Sequence, residues 1–148
     1  MLSFSVTEQL TGSFYRLDSP GEEQPLEMTA EIDVPDLRRF VIDPVAELKG
    51  QVSAASLCEA APIRGTLTFD PIDRHLRYEF RVDSSDDPPL TFSGDKELVA
   101  RDPVGSLTVL HGSFFLGDEE LGRAVLRFRL RKSIRRFLSS IRAGGPRP

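Results

Sequence analysis

Cysteine and histidine are scarce in this 148-residue chain, and long apolar runs are missing altogether. Cys58 stands alone, which excludes an internal disulfide and a thiolate metal cluster. With only His75 and His111, no histidine-rich metal site can be assembled. No apolar stretch approaches the roughly 18 residues that a membrane-spanning helix needs. Met1 to Leu10 lack the charged start and apolar run of a secretory signal, so a cytoplasmic protein is expected. There is no G-x-S-x-G, no glycine-rich phosphate loop and no H-E-x-x-H, so neither a catalytic residue nor a metal nor a cofactor is assigned.

Negative charge is missing from one end. From Leu121 onward there are nine arginines and lysines and no carboxylate, whereas residues 1–120 hold 23 acidic and 10 basic residues. The formal net charge of -4 therefore conceals a body near -13 and an end near +9. Apolar residues at 39% and charged residues at 28% match a soluble globular chain of one domain, expected over 1–143, with 144–148 as a disordered tail.

What the chain does contain is period-two alternation. Leu26, Met28, Ala30, Ile32 and Val34 share one face of a strand whose other face carries Glu27, Thr29, Glu31 and Asp33. The same rule gives strands at Ala46 to Val52, Ile63 to Phe69, Leu76 to Val82, Leu90 to Gly94, and Leu107, Val109 and His111. Ala124 to Leu130 supplies the last and Leu2 to Leu17 the first. Turn residues separate them, as at Asp18-Ser19-Pro20-Gly21, Asp70-Pro71-Ile72-Asp73 and Gly117-Asp118. The breaks are short, so neighbours in sequence pair antiparallel. One connection reads as a short helix, Pro35 to Val41, after the second strand.

Eight strands with one oily face must close into a barrel or stack as two sheets. Glycines inside the strand patterns at Gly12, Gly50, Gly65 and Gly94 favour an all-β, eight-stranded, lipocalin-like antiparallel barrel, with a β-sandwich as the alternative. Such a barrel is either filled by its own side chains or holds one small ligand. The expected ligand-facing set is Phe69, Tyr78, Phe80, Phe92, His111 and Phe128, in which Tyr78 and His111 could orient an apolar molecule with one hydrogen bond. Non-enzymatic binding of a lipid- or sterol-like molecule is the leading expectation. A small barrel isomerase or cyclase, with Tyr78 or His111 as acid or base, is one alternative.

The basic end supports another. Arg127, Arg129 and Arg131 alternate with apolar residues on the last strand. Beyond it, Ile134, Phe137, Leu138 and Ile141 fall at helical spacing behind Ser133, with Arg135 and Arg136 on other faces. This amphipathic C-terminal helix suits either a structural role or docking to a partner protein. An anionic membrane would be repelled by the acidic body, and nucleic acid is disfavoured because the aromatic residues alternate with inward positions and not with the arginines. The run Phe114-Phe115-Leu116 leaves room for a subunit contact.

Several strand texts carry a resemblance. Phe4-Ser5-Val6-Thr7-Glu8 followed by Gly12, Leu76-Arg77-Tyr78-Glu79-Phe80, Pro89-Leu90-Thr91-Phe92-Ser93-Gly94-Asp95-Lys96, and Asp102-Pro103 ahead of Leu107-Thr108-Val109-Leu110 form the pattern. It resembles the β-rich accessory segment found with bacterial glucose-methanol-choline flavin oxidoreductases of the cholesterol-oxidase type. Asp95 stands where that segment carries an aromatic. None of the flavin-binding part is present, so the resemblance implies no oxidase activity, only a module that works near sterol or lipid chemistry, as an accessory to such an enzyme.

Overall fold

The structure, a computed structural model, describes residues 3–83, 88–97 and 109–128. The strands are β1 (Phe4–Arg16), β2 (Gln24–Val34), β3 (Val45–Ala54), β4 (Cys58–Asp70), β5 (His75–Val82), β6 (Leu90–Glu97), β7 (Val109–Leu116) and β8 (Glu119–Phe128). A six-residue helix, α1 (Leu37–Ile42), joins β2 to β3. Each strand pairs antiparallel with the next, and β8 returns to β1 from Leu10↔Phe128 to Arg16↔Gly122, so the sheet is a closed barrel with no free edge. Closure rules out the sandwich.

Alternation decides what lies inside. The β2 set from Leu26 to Val34 is buried, as are Ala46, Leu48 and Val52 on β3 and Tyr78, Phe80 and Val82 on β5. The outer faces are charged and exposed, with ion pairs such as Lys49–Glu31 at 3.8 Å and Arg77–Asp95 at 3.0 Å. Such surface pairs are worth about 0–1 kcal/mol each. The fold rests on burial of the inner faces.

β7 differs from the sequence expectation. Parity anchored on Leu107 and Val109 predicts His111 inside, but Leu110, Gly112 and Phe114 face the lumen and His111 is exposed on the outer wall. The register explains it. Directly opposed residues share a face, and β6 sets Phe92 opposite Phe114 and Gly94 opposite Gly112. The predicted C-terminal helix with Arg135 and Arg136 lies outside the described residues, as do Arg129 and Arg131 of the predicted last strand.

Connections alternate between two ends of the barrel. At one end lie the β1–β2, β3–β4 and β7–β8 turns, the last built on Gly117 at φ 63°. At the other lie α1 and the β4–β5 turn, where the Asp70 carboxylate accepts the backbone N–H groups of Ile72 and Asp73 at 3.0 and 3.2 Å. Asp36 caps α1 by accepting from the Arg38 N–H at 3.0 Å, and Leu37 and Phe40 pack on the core. The Phe69 N–H donates to the Pro44 carbonyl at 2.9 Å, tying the exit of α1 to the end of β4.

Glycine permits the curvature. A Cβ on Gly65 would lie 1.9 Å from the Glu79 carbonyl oxygen and 2.5 Å from the Phe80 Cα, both backbone atoms of β5. Gly65→Ala should therefore destabilise the barrel by about 2 kcal/mol or more. Gly21→Ala, with nothing within 4 Å of the new methyl, should leave the urea midpoint nearly unchanged. Equal midpoints for the two variants would show that β4 and β5 do not approach as described.

Candidate functional site

The lumen has two unlike halves. Toward the hairpin-turn end four phenylalanines form a chain of rings across β5, β6, β7 and β1. Phe80 stacks on Phe92 with centroids 4.8 Å apart, Phe92 meets Phe114 edge-on at 5.1 Å, and Phe114 meets Phe14 edge-on at 5.9 Å. The strand between the last two contributes Gly122 opposite Phe114 and Ala124 opposite Phe14, small residues that let the rings meet. Each aromatic pair adds about 0.5–1.5 kcal/mol beyond burial.

The inward glycines of β6 and β7 do not leave a hollow. A Cβ on Gly94 would lie 2.8 Å from the Phe92 ring, and one on Gly112 would lie 2.4 Å from it. The Phe92 ring occupies the room these glycines free, an aromatic covering of bare backbone. Phe80 and Phe92, both expected to face a ligand, are thus part of a packed aromatic plug.

Above the plug sits a polar layer. Tyr78, 1% exposed, projects from β5 and its hydroxyl donates to Glu8 Oε2 of β1 at 3.0 Å. Since β1 and β5 are four strands apart in an eight-stranded ring, this hydrogen bond crosses the lumen. Lys96 of β6, 2% exposed, is the one buried charged residue among those described, and its Nζ stands 4.9 Å from the Tyr78 ring centroid. Glu8 is half-buried.

Burial dominates the electrostatics of this layer. It lowers Lys96 from 10.5 to about 8, against the pull of the Glu8 charge. It also raises the Glu8 carboxyl, which the charge of Lys96 and the hydrogen bond from Tyr78 draw partly back. Tyr78 is pushed well above its usual value by burial first, then by the Glu8 charge and the hydrogen bond itself, so it remains a neutral donor. Cys58 is a half-buried thiol that burial likewise pushes up, which does not suit a nucleophile.

Toward the α1 end, beyond the polar layer, the inward-facing side chains are less deeply buried. Register places Phe69, Leu76 and Lys96 in one row across β4, β5 and β6. Phe69, Leu76 and the neighbouring Leu67 are only half-buried, in contrast to the sealed phenylalanines below. Around this end stand exposed apolar residues: Val41 and Ile42 of α1, and Ile72 of the β4–β5 turn at 90% exposure.

The site residues expected from sequence therefore separate. Tyr78, Phe80 and Phe92 are buried in the lumen and Phe69, opposite Leu76, is half-buried toward the α1 end. His111 sits outside, opposite Asp95 and beside an open groove that includes Arg123, which removes one of the two acid–base candidates for an isomerase. Phe128 belongs to β8, but its side chain lies outside the described residues, and Arg127 is exposed on the outer face. Glu8 and Lys96 escaped the sequence reading. Their signal was present, because Glu8 shares the parity of Val6 and Leu10, and Lys96 that of Leu90, Phe92 and Gly94.

Comparison with family models, with curated proteins and with solved structures found no match to this chain. Among the described residues no helix is long and apolar enough to cross a membrane, and no group of three or more histidine, cysteine or acidic side chains is placed to hold a metal ion.

The buried amine has a measurable signature. Below about pH 8 Lys96 is protonated in both folded and unfolded chains. Between about 8 and 10.4 the unfolded chain binds a proton that the folded one has released, so stability rises with pH. The unfolding free energy of the wild type minus that of Lys96→Met should climb by about 3 kcal/mol across this window. A flat difference would mean that Lys96 is solvated.

Proposed function

We propose that the chain is a non-enzymatic binder of an apolar small molecule bearing a single polar group. The ligand occupies the half of the barrel next to α1. Its hydrocarbon body lies against Leu67, Phe69 and Leu76, and its polar group rests on the floor made by Glu8, Tyr78 and Lys96. The observation that carries this reading is the contrast within one lumen: a sealed aromatic half, a charged layer across the middle, and apolar walls left half-exposed above it. A chain needing only a solid core has no use for a buried lysine, which costs stability that hydrocarbon would not. The exposed Val41, Ile42 and Ile72 give an apolar rim over which such a molecule passes.

Each methylene withdrawn from water contributes about 0.8 kcal/mol, so a medium-length chain supplies micromolar affinity without many polar contacts. The resemblance to the accessory segment of cholesterol-oxidase-type enzymes makes sterols and lipids the first ligands to test, with a lipid- or sterol-modifying oxidoreductase as the enzyme this barrel serves.

An environment-sensitive apolar dye should bind saturably, one per chain, and be displaced by fatty alcohols, fatty acids or sterols. Leu76→Lys should weaken binding about tenfold or more by placing a charge on the apolar wall, whereas Gly21→Ala, in the turn at the other end of the barrel, should leave it within about twofold. Absence of saturable binding across dye, fatty alcohols, fatty acids and sterols would overturn the reading.

A further inference from the structure

We propose that the outer wall over β3, β4 and β5 is a binding site for a compact polyanion, a ligand carrying a diphosphate group. The site lies outside the lumen and does not depend on the binding reading above.

The register builds it. Lys49 of β3 stands directly opposite Arg64 of β4, and Arg64 directly opposite Arg81 of β5, so three cations form one row across three strands. Neighbouring strands lie about 4.8 Å apart, which makes the row roughly 10 Å long. All three side chains are exposed, and all three line an open groove of about 680 Å³ to which Thr29 and Gln51 add a hydroxyl and an amide.

Arg64 is the centre of a conflict. Its nearest neighbours on the outer face are Lys49 and Arg81 across the ladder and Thr66 and Pro62 along β4, two cations and no carboxylate. Like charges set directly opposite each other destabilise a sheet, so the chain keeps an arrangement here that its own stability does not favour. Lys49 meets Glu31 at 3.8 Å, but among the described residues no ion pair holds Arg64 or Arg81. Arg77 shows the usual solution, since it stands opposite Asp95 and bonds to it at 3.0 Å.

The surroundings select the size of the ligand. Glu31 closes the row on the β2 side, and Glu47, Glu79 and Asp83 stand diagonally from Arg64, about 7–8 Å away. A long polyanion such as a nucleic-acid strand would leave the three cations and run against these carboxylates. A single carboxylate engages only one guanidinium. A diphosphate has two phosphoryl groups, enough to take paired N–H···O bonds from the guanidinium groups of adjacent strands, with the Lys49 ammonium as a further point charge. At physiological salt charges act over about 8 Å, so the row, and not the acidic body as a whole, sets the potential that a bound anion meets.

The test titrates inorganic pyrophosphate into the full chain in metal-free buffer, with sodium chloride holding the ionic strength constant. Binding is followed by the arginine Nε–Hε signals in nitrogen NMR and by thermal unfolding. Pyrophosphate should bind saturably, one per chain, at least about tenfold more tightly than inorganic phosphate, and should shift the Arg64 and Arg81 signals. Arg64→Gln should weaken it about tenfold or more. The same variant, free of ligand, should melt at or above the wild-type temperature, because a cation flanked by cations is gone. Arg77→Gln, one row beyond Glu79, should keep the affinity within about twofold. Tighter binding of ADP than of pyrophosphate would add a nucleoside to the ligand, and equal or weaker binding would leave the diphosphate alone; either supports the site. Three results would overturn it: pyrophosphate binding no better than phosphate, equal losses in Arg64→Gln and Arg77→Gln, or single-stranded DNA binding more tightly than pyrophosphate. A clear fall in the ligand-free melting temperature of Arg64→Gln would also overturn it, by showing that the arginine serves the fold.

Discussion

Everything in this molecule depends on the ladder between β1 and β8. An eight-stranded sheet with one apolar face has nowhere to hide that face while it stays open. Pairing Leu10 with Phe128 through to Arg16 with Gly122 turns eight half-buried ribbons into one enclosed volume. Closure also fixes who faces whom, because β1 and β5 become opposite walls. Glu8 and Tyr78, 70 residues apart in sequence, are partners only because the ring is shut. The path from residues to site runs through this constraint: alternation selects the inner face, closure joins the faces, and the joined faces bring together groups that no local motif would reveal.

The enclosed volume is used unevenly. Its lower half follows the packing rules of any core, with rings in edge-on and stacked contact and with the space freed by Gly94 and Gly112 taken by Phe92. Its middle breaks them by burying an amine. Removing a charge from water costs several kcal/mol unless partners compensate, and among the partners here are a π-face at 4.9 Å and the charge of the Glu8 carboxyl. Such a layer is a local conflict in an otherwise consistent chain, and conflicts of this kind mark places where sequence serves something besides stability. The binding proposal grows from it.

Much of the architecture was legible in the residues. The β2 pattern from Leu26 to Val34 states its own parity, and the turn at Asp70-Pro71-Ile72-Asp73 is the turn observed. Interior glycines signalled bending, and Gly65 and Gly50 do lie where neighbouring backbone leaves no room for a side chain. What failed was parity at β7, where Leu107 and Val109 suggested a phase that the register with β6 reverses. A short apolar text cannot fix which of its two faces is buried, and only the opposing strand can. Lys96 and Glu8 were missed for a related reason. A charge at an inward parity reads as the end of a strand or as noise until closure shows that strand continuing across a dry interior. Of the two outcomes open to such a barrel, the half around Gly94 is the filled one, its room taken by the Phe92 ring.

The central claim is that an amine is buried in a shared interior, beside a phenol ring and within the field of a carboxyl. Its most direct test is the titration of the three lysine side chains followed by carbon NMR at Cε, with Lys96 assigned by its loss in Lys96→Arg. The account predicts that one resonance titrates near pH 8 and that Glu8→Gln lowers it further, because the favouring charge is gone. A Lys96 resonance that titrates near the ordinary lysine value of about 10.4, indifferent to Glu8, would contradict it.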